Sequence, residues 1–409
     1  MECPSHVNII FEDVTGEKDG LPGFQIKSVD SSGKELCSGA KGARFLTSED
    51  KRQVDGRTVF WVASCTKIVV TIAVIQCVER GLVTLDSVPT DILPELQQLN
   101  VLQGWTADGQ PILASPKRYP TIREILSHQS GICVDISEPA VTKWLDYVEA
   151  TSNSQSGKLQ DLLYPMVFSP GQGWTYSVGM DWMGHLVSRL NGNVSLGEYF
   201  RSNIFEPLGL RDTTFNPLTD TAFNTRLTGT HSRQLDGSLE LASENAGDKY
   251  AKSGFHNGGG GLWSTAEDLC KLLHGVFLDA ESTKILGSDS IREIFTPCLA
   301  DPRKFEDRVA KMTREQDLNI LPQIPISTPK NFGLGVALNL AELETGLSAG
   351  SGQWSGFPNC YWWVDLKKGV AGVMVASVLN FADKKALKAL ERFQTLSYKK
   401  LEEYKRASQ

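Results

Sequence analysis

The spacing of apolar positions changes along the chain and predicts its elements. Phe24-Gln25-Ile26-Lys27-Ser28-Val29 alternates with period two, as a half-buried strand does. Asp30-Ser31-Ser32-Gly33 is a turn cluster, and a second strand begins at Lys34-Glu35-Leu36-Cys37. After Lys67 the chain reads Ile68-Val69-Val70-Thr71-Ile72-Ala73-Val74-Ile75. Its β-branched residues suit a strand, but Ser64 to Arg80 is too long for one, and Gly81 suits a helix C-terminus. A helix apolar nearly all round is a buried helix.

Residues 82–290 read as mainly helical with long loops. Thr121-Ile122-Arg123-Glu124 and Ser264-Thr265-Ala266-Glu267 are capping boxes, the second opening a helix through Leu273. Residues 301–330 carry many charges and then Pro322, Pro325 and Pro329, which reads as a long ordered loop or lid outside the core. Three strand-like runs follow (Phe332 to Leu340, Tyr361 to Asp365, Val370 to Val378), then a charged helix from Lys384 to about Tyr404. Strands at both ends with helices between predict an α/β fold. A single domain over 1–409 draws its α/β lobe from about 1–80 and 291–409, with a helical lobe inserted over about 81–290.

Composition narrows the function classes. Of 409 residues, 41% are hydrophobic and 22% charged, which is ordinary for a globular protein. The net charge of −7 and the lack of a basic run point away from nucleic acid and anionic membranes. No apolar run is long enough for a membrane span, and Met1-Glu2-Cys3-Pro4-Ser5-His6 lacks an export-signal pattern. The cysteines at 3, 37, 65, 77, 133, 270, 298 and 360 form no Cys-x-x-Cys pair, so neither a metal site nor a redox motif is expected. These features predict a cytoplasmic protein with free thiols and no cofactor.

Ser64-Cys65-Thr66-Lys67 carries the candidate chemistry. Residues three apart on a helix are neighbours, so Lys67 reaches the Ser64 hydroxyl. A serine needs a base before it is a useful nucleophile, and a lysine serves when burial disfavours its ammonium form. The competing reading is that Ser64 caps the helix and Lys67 sits in its solvated first turn. Cys65 is a weaker rival nucleophile, because its position points away from the face that Ser64 and Lys67 share.

Other motifs carry less. Gly258 to Gly261 precede a helix without a preceding strand or a Gly-Lys-Ser/Thr, so close packing suits them better than phosphate binding. Gly346-Leu347-Ser348-Ala349-Gly350 matches a nucleophile elbow in letters, but strand-like sequence follows where a helix is required. His128 and His256 read as structural, and Asp135 and Asp181 show no spacing that implies a pair or a metal.

Two further segments complete a set: Ser169-Pro170-Gly171-Gln172-Gly173-Trp174-Thr175-Tyr176-Ser177-Val178-Gly179, and Gly352-Gln353-Trp354-Ser355-Gly356-Phe357-Pro358. Ser-x-x-Lys, a tyrosine after Pro-Gly, and a Gly-containing strand near the C-terminus, in that order, resemble the serine β-lactamase and penicillin-binding-protein superfamily. The likeness is to its esterase and acyltransferase branch related to class C β-lactamases, in particular to fungal statin-pathway polyketide acyltransferases. It rests also on Phe60-Trp61-Val62-Ala63 and on Gln76-Cys77-Val78-Glu79-Arg80-Gly81-Leu82.

The resemblance implies a β-lactamase-like fold, an antiparallel sheet flanked by helices with an inserted helical lobe. It implies that Ser64 is acylated, that Lys67 and Tyr176 share its proton, and that the Ser64 and Phe357 N–H groups form an oxyanion hole, with Gly356 letting substrate approach. Two departures matter. Val178 stands where the superfamily has a substrate-binding asparagine, and Trp354 replaces the Lys-Thr-Gly lysine. Loss of two polar handles argues against β-lactam hydrolysis and for an ester or thioester with apolar bulk. Trp174, Trp362 and Trp363 either extend this wall or belong to the core. The implied function is a serine acyltransferase moving an acyl group from a thioester or ester donor, carrier-bound or free, to a hydroxyl of a small-molecule, secondary-metabolite acceptor. An esterase using water is the alternative, and an inert binding protein is a third class.

Overall fold

The computed structural model describes residue 10 and residues 20–407, except 48, 51, 155, 157, 317 and 318. The segment Met1–His6 and Cys3 lie outside the described residues. The chain runs through β1 (Gly23–Asp30), β2 (Glu35–Gly42) and the short β3 (Phe60–Trp61), a 3₁₀ turn over Ala63–Cys65, then α1 (Thr66–Glu79). Its later elements are α2 (Gly179–Leu190), β4 (Trp263–Ser264), α3 (Ala266–Leu273), α4 (Arg303–Gln316), β5 (Lys330–Phe332), β6 (Ala337–Asn339), β7 (Gly352–Gly356), β8 (Cys360–Asp365), β9 (Val370–Ala376) and α5 (Lys384–Ala407).

Seven strands form one antiparallel sheet in the order β2-β1-β9-β8-β7-β6-β5. Its side chains alternate between two cores. In β9, Ala371, Val373 and Val375 face the larger core, and Val370, Met374 and Ala376 the smaller. In β8, Cys360, Trp362 and Val364 face the former, and Tyr361 and Trp363 the latter. Two buried faces explain strands that read as nearly continuous apolar runs. α5 covers the smaller core, where Phe393 meets Trp363 edge to face at 5.1 Å. Gly372 faces Trp363 across the ladder, and a Cβ there would stand 2.2 Å from the indole. Trp362 and Trp363 are therefore core residues and do not line the cavity.

α1 threads the larger core. Every residue from Thr66 to Cys77 is buried, as a helix apolar on all sides requires. It ends where expected: Gly81, with φ +69°, takes the left-handed position past the C-terminus.

The structure departs from the sequence reading at four places. Ser64 lies in the 3₁₀ turn, with the α-helix beginning at Thr66. The Thr121 capping box is present in both halves, but the second cap is shifted by one: Thr265 accepts from Asp268 N–H at 3.1 Å, and Ser264 belongs to β4. The run from Phe332 to Leu340 splits into β5 and β6 around a turn, where Gly333 N–H donates to Val336 O at 2.8 Å and Gly335 has φ +72°. Residues 301–330 are no loop outside the core. They form α4, whose Phe305, Val309 and Met312 are buried, followed by buried Ile320, Leu321 and Ile324. The middle region also holds two hairpins, Val101–Trp105 with Pro111–Ala114 and His231–Arg233 with Leu239–Leu241. Among the described residues no helix is long and apolar enough to cross a membrane.

Candidate active site

The turn from β3 into α1 presents Ser64. Val62 N–H donates to Leu262 O at 3.0 Å, which ties the turn to the segment entering β4. Ala63 then takes φ +43°, a left-handed conformation that costs an L-residue about 1–2 kcal/mol. Thr66 bridges the same two segments: its hydroxyl donates to Ala63 O at 2.6 Å and accepts from Leu262 N–H at 3.1 Å. The strained residue is held by its neighbours on both sides.

Lys67 is 5% exposed. Its Nζ lies 3.2 Å from Ser64 Oγ and donates to the Gly259 carbonyl. That carbonyl comes from the Gly258–Gly261 run, a backbone shelf against the start of α2. A Cβ on Gly258 would stand 2.7 Å from Met180 O, and one on Gly259 2.4 Å from the Asp181 carboxylate. Trp61 Nε1–H donates to Gly260 O at 2.7 Å. The glycines serve close packing, as the sequence suggests, and they supply the amine with an acceptor.

Tyr176 arrives on the strap before α2. Thr175 N–H donates to His128 O, Val134 N–H to Tyr176 O, both at 3.1 Å, and Val178 N–H to Cys133 O at 3.4 Å. Its hydroxyl lies 2.6 Å from Ser64 Oγ, and Lys67 Nζ stands 4.8 Å from its ring centre. Three distant segments thus converge on one oxygen. His128 packs beside Tyr176 at 5.2 Å, its Nδ1 2.8 Å from Ser177 Oγ. Burial, and secondarily Lys67, push its imidazole well below the ordinary histidine range. It is a neutral strut, as is His256, whose Nδ1 accepts from Gly197 N–H at 3.0 Å.

Ser64, Lys67 and Tyr176 form the floor of a cavity of about 480 Å³. Val178, Trp354, Trp61, Ile320, Tyr250 and Phe357 are among its lining residues. Trp354 tilts against Tyr176 with ring centres 5.5 Å apart. Phe357 is 42% exposed and stacks on Phe381 at 6.3 Å, both lining the cavity. Trp174 is placed elsewhere: it lies behind the wall, 4.5 Å from Phe305 and 5.8 Å from His128. Gly356 also differs from expectation. A Cβ there would stand 2.3 Å from Val62 O, so the missing side chain admits the Ser64 turn against β7. Cys65 is buried, its thiol pushed well up by burial and turned toward Cys360 O.

A family model described as β-lactamase matches residues 31–396. The chain belongs to the β-lactamase family. Within it the chain is similar to the lovastatin esterase of Penicillium rubens, with 29% identity over 86% of this chain and 88% of that one. It is 30% identical to the monacolin J acid methylbutanoyltransferase of Aspergillus terreus, over 86% and 85%. The solved structure of simvastatin synthase from Aspergillus terreus superposes with a TM-score of 0.86 at 27% identity, covering 96% of this chain and 98% of that one. The fold is accordingly β-lactamase-like, and this family member is an enzyme of the serine acyltransferase/hydrolase class.

The sequence reading omits several residues of the site. Asp181, whose spacing implies neither a pair nor a metal, lies in the cavity beside the glycine shelf. Trp61 and Tyr250, stacked at 5.6 Å, and Phe381 also line it. Their sequence contexts resemble those of core residues, and only the run of four glycines marks a place where backbone must approach closely.

Proposed function

We propose that the protein is a serine acyltransferase that forms an acyl-enzyme on Ser64 and passes the acyl group to a hydroxyl of a small-molecule acceptor. The observation that carries this reading is the position of Ser64 Oγ, 2.6 Å from Tyr176 OH and 3.2 Å from Lys67 Nζ, on the floor of a largely apolar cavity. Tyr176 and Lys67 take the hydroxyl proton as Ser64 attacks the donor carbonyl. The negative charge on the carbonyl oxygen is met by the N–H groups of Ser64 and Phe357. The first belongs to the opening turn of a helix, where amides lack intrahelical acceptors, and the second to the hairpin after β7. Such donors typically lower the barrier by about 3–4 kcal/mol each. The proton goes to the departing alcohol or thiol. The acceptor hydroxyl then gives its proton to the same pair, its oxygen displaces Ser64 from the acyl carbon, and the pair returns the proton to the departing Ser64 Oγ.

The walls support an apolar acyl group. Val178 and Trp354 both line the cavity where the superfamily places polar substrate handles. The relatives include a monacolin J acid methylbutanoyltransferase, which supports a small-molecule acceptor of the secondary-metabolite class. A free thioester or ester and a carrier-bound thioester are both donors of suitable chemistry. The seven cysteines among the described residues are free thiols, six of them buried, which favours the reducing cytoplasm. Hydrolysis is the second reading, favoured by similarity to lovastatin esterase.

Intact-mass measurement after exposure to an activated acyl thioester tests the acyl-enzyme. A single adduct that Ser64→Ala abolishes is expected, and no adduct with any donor would reject catalysis at Ser64. Product analysis with a competing alcohol separates the acceptors: new ester supports transfer, whereas acid alone assigns a hydrolase.

A further inference from the structure

The cavity holds a carboxylate that the proposed reaction does not use. Asp181 lies in the first turn of α2, five residues beyond Tyr176, and is buried. Its Oδ1 accepts the Gly259 N–H at 2.9 Å, while the Gly259 carbonyl accepts from Lys67 Nζ. Lys67 Nζ in turn lies 3.2 Å from Ser64 Oγ. Carboxylate, one residue of backbone, amine and hydroxyl form a continuous chain, and position 259 has no room for a side chain between them.

A buried charge persists only when opposite charge or hydrogen bonds meet it. Lys67 faces Asp181 from α1, while the phenols of Tyr164, on a loop, and Tyr250, in the short helix Asp248–Ser253, feel its negative charge. Tyr176 faces Lys67 from the strap, and His128 from the turn after the helix Ile122–Leu126. Burial pushes the Asp181 carboxyl up, and Lys67 opposes that push. The two groups are therefore electrostatic partners within the floor of the cavity.

We propose that Asp181 is a positioning residue for Lys67: it holds the Gly259 peptide, whose carbonyl fixes the amine against Ser64. The inference rests on the acyl-enzyme reading above. Removing the acceptor of the Gly259 N–H frees that peptide to turn and loosens the hold that keeps Nζ on Ser64.

The test is the rate of Ser64 acylation by an activated acyl thioester, followed by intact mass, in the wild type, in Asp181→Ala and in Asp181→Asn. Alanine removes the acceptor of the Gly259 N–H, and asparagine keeps one. The expected result is a plateau rate lower by about tenfold or more in the alanine variant at an unchanged half-saturating donor concentration, with most of that rate restored in the asparagine variant. A wild-type rate in the alanine variant, or an asparagine variant as slow as the alanine one, overturns the inference. If the alanine variant does not fold, Asp181→Leu is read in the same way. A wild type that forms no adduct overturns the acyl-enzyme reading together with this one, whereas normal wild-type acylation without that rescue overturns this one alone.

Discussion

Tyr176 OH stands closer to Ser64 Oγ than Lys67 Nζ does, 2.6 Å against 3.2 Å. The phenol is thus the group in direct line for the serine proton, and the amine, shared with the Gly259 carbonyl, supports it from the other side.

Removing either partner should be severe. Tyr176→Phe and Lys67→Ala are each expected to slow acylation by about 10²–10⁴-fold with the fold intact. The double variant should be little worse than the worse single one, because the two act as a unit. Rates of adduct formation check this, and near-normal acylation by either variant would remove that residue from the proton path.

Gly356→Ala tests what the glycine is for. The added methyl meets the Val62 carbonyl, which is fixed backbone, so the Ser64 turn must shift. The expected cost is about 1–3 kcal/mol in a denaturant midpoint series, with a marked loss of acylation rate. A variant of wild-type stability with only a raised KM would instead assign Gly356 to substrate passage.

Phe357→Ala separates side chain from backbone at the cavity mouth. The ring is partly exposed and its backbone N–H remains after substitution. Stability should hold within about 0.5 kcal/mol. The KM for an apolar donor should rise about tenfold, the worth of part of a buried phenyl group, with kcat little changed. A collapse of kcat at constant KM would contradict this division.

His231 predicts a pH dependence of stability. It is fully buried, accepts from Leu46 N–H at 3.2 Å through Nε2, and has Nδ1 3.3 Å from Ser377 O. Burial lowers its pKa from 6.5 to about 4. The unfolded chain therefore binds a proton that the folded chain refuses. Stability is retained above pH 6.5 and falls as the pH drops toward 4, by on the order of 3 kcal/mol in total. Urea midpoints across that window should show the slope, and His231→Gln should flatten it. An unchanged slope in the variant would assign the acid sensitivity to carboxylates.

What the sequence reveals here is mostly what is local. Ser64 and Lys67 are legible because three residues of helix bring them together whatever the rest of the chain does. The strand and helix periods of β1, α1 and α5 are legible for the same reason. α4 is partly hidden: Phe305, Val309 and Met312 lie at helical spacing, but the charges between them and the prolines beyond mask the stripe. The partnership of Asp181 with Lys67 is not legible, because it passes through the backbone of residue 259, nearly eighty positions from the aspartate. Nor is the left-handed Ala63, since alanine gives no sign of the conformation that its neighbours impose. Trp174 looks like a cavity residue in its motif, and only the packing of Phe305 and Phe332 shows that it stands one layer back.

The pairing of β1 with β9 has a consequence for biosynthesis. The middle of the sheet joins residues 24–30 to residues 370–376, so it cannot close until about 350 further residues have followed β1 out of the ribosome. Meanwhile α1, whose first twelve residues are all buried in the finished protein, waits without the surfaces that will cover it. Contacts so distant along the chain form slowly, and exposed apolar segments aggregate. Production of this enzyme is therefore governed by how long a nascent chain is sheltered, and truncation anywhere before residue 370 leaves that edge of β1 unpaired.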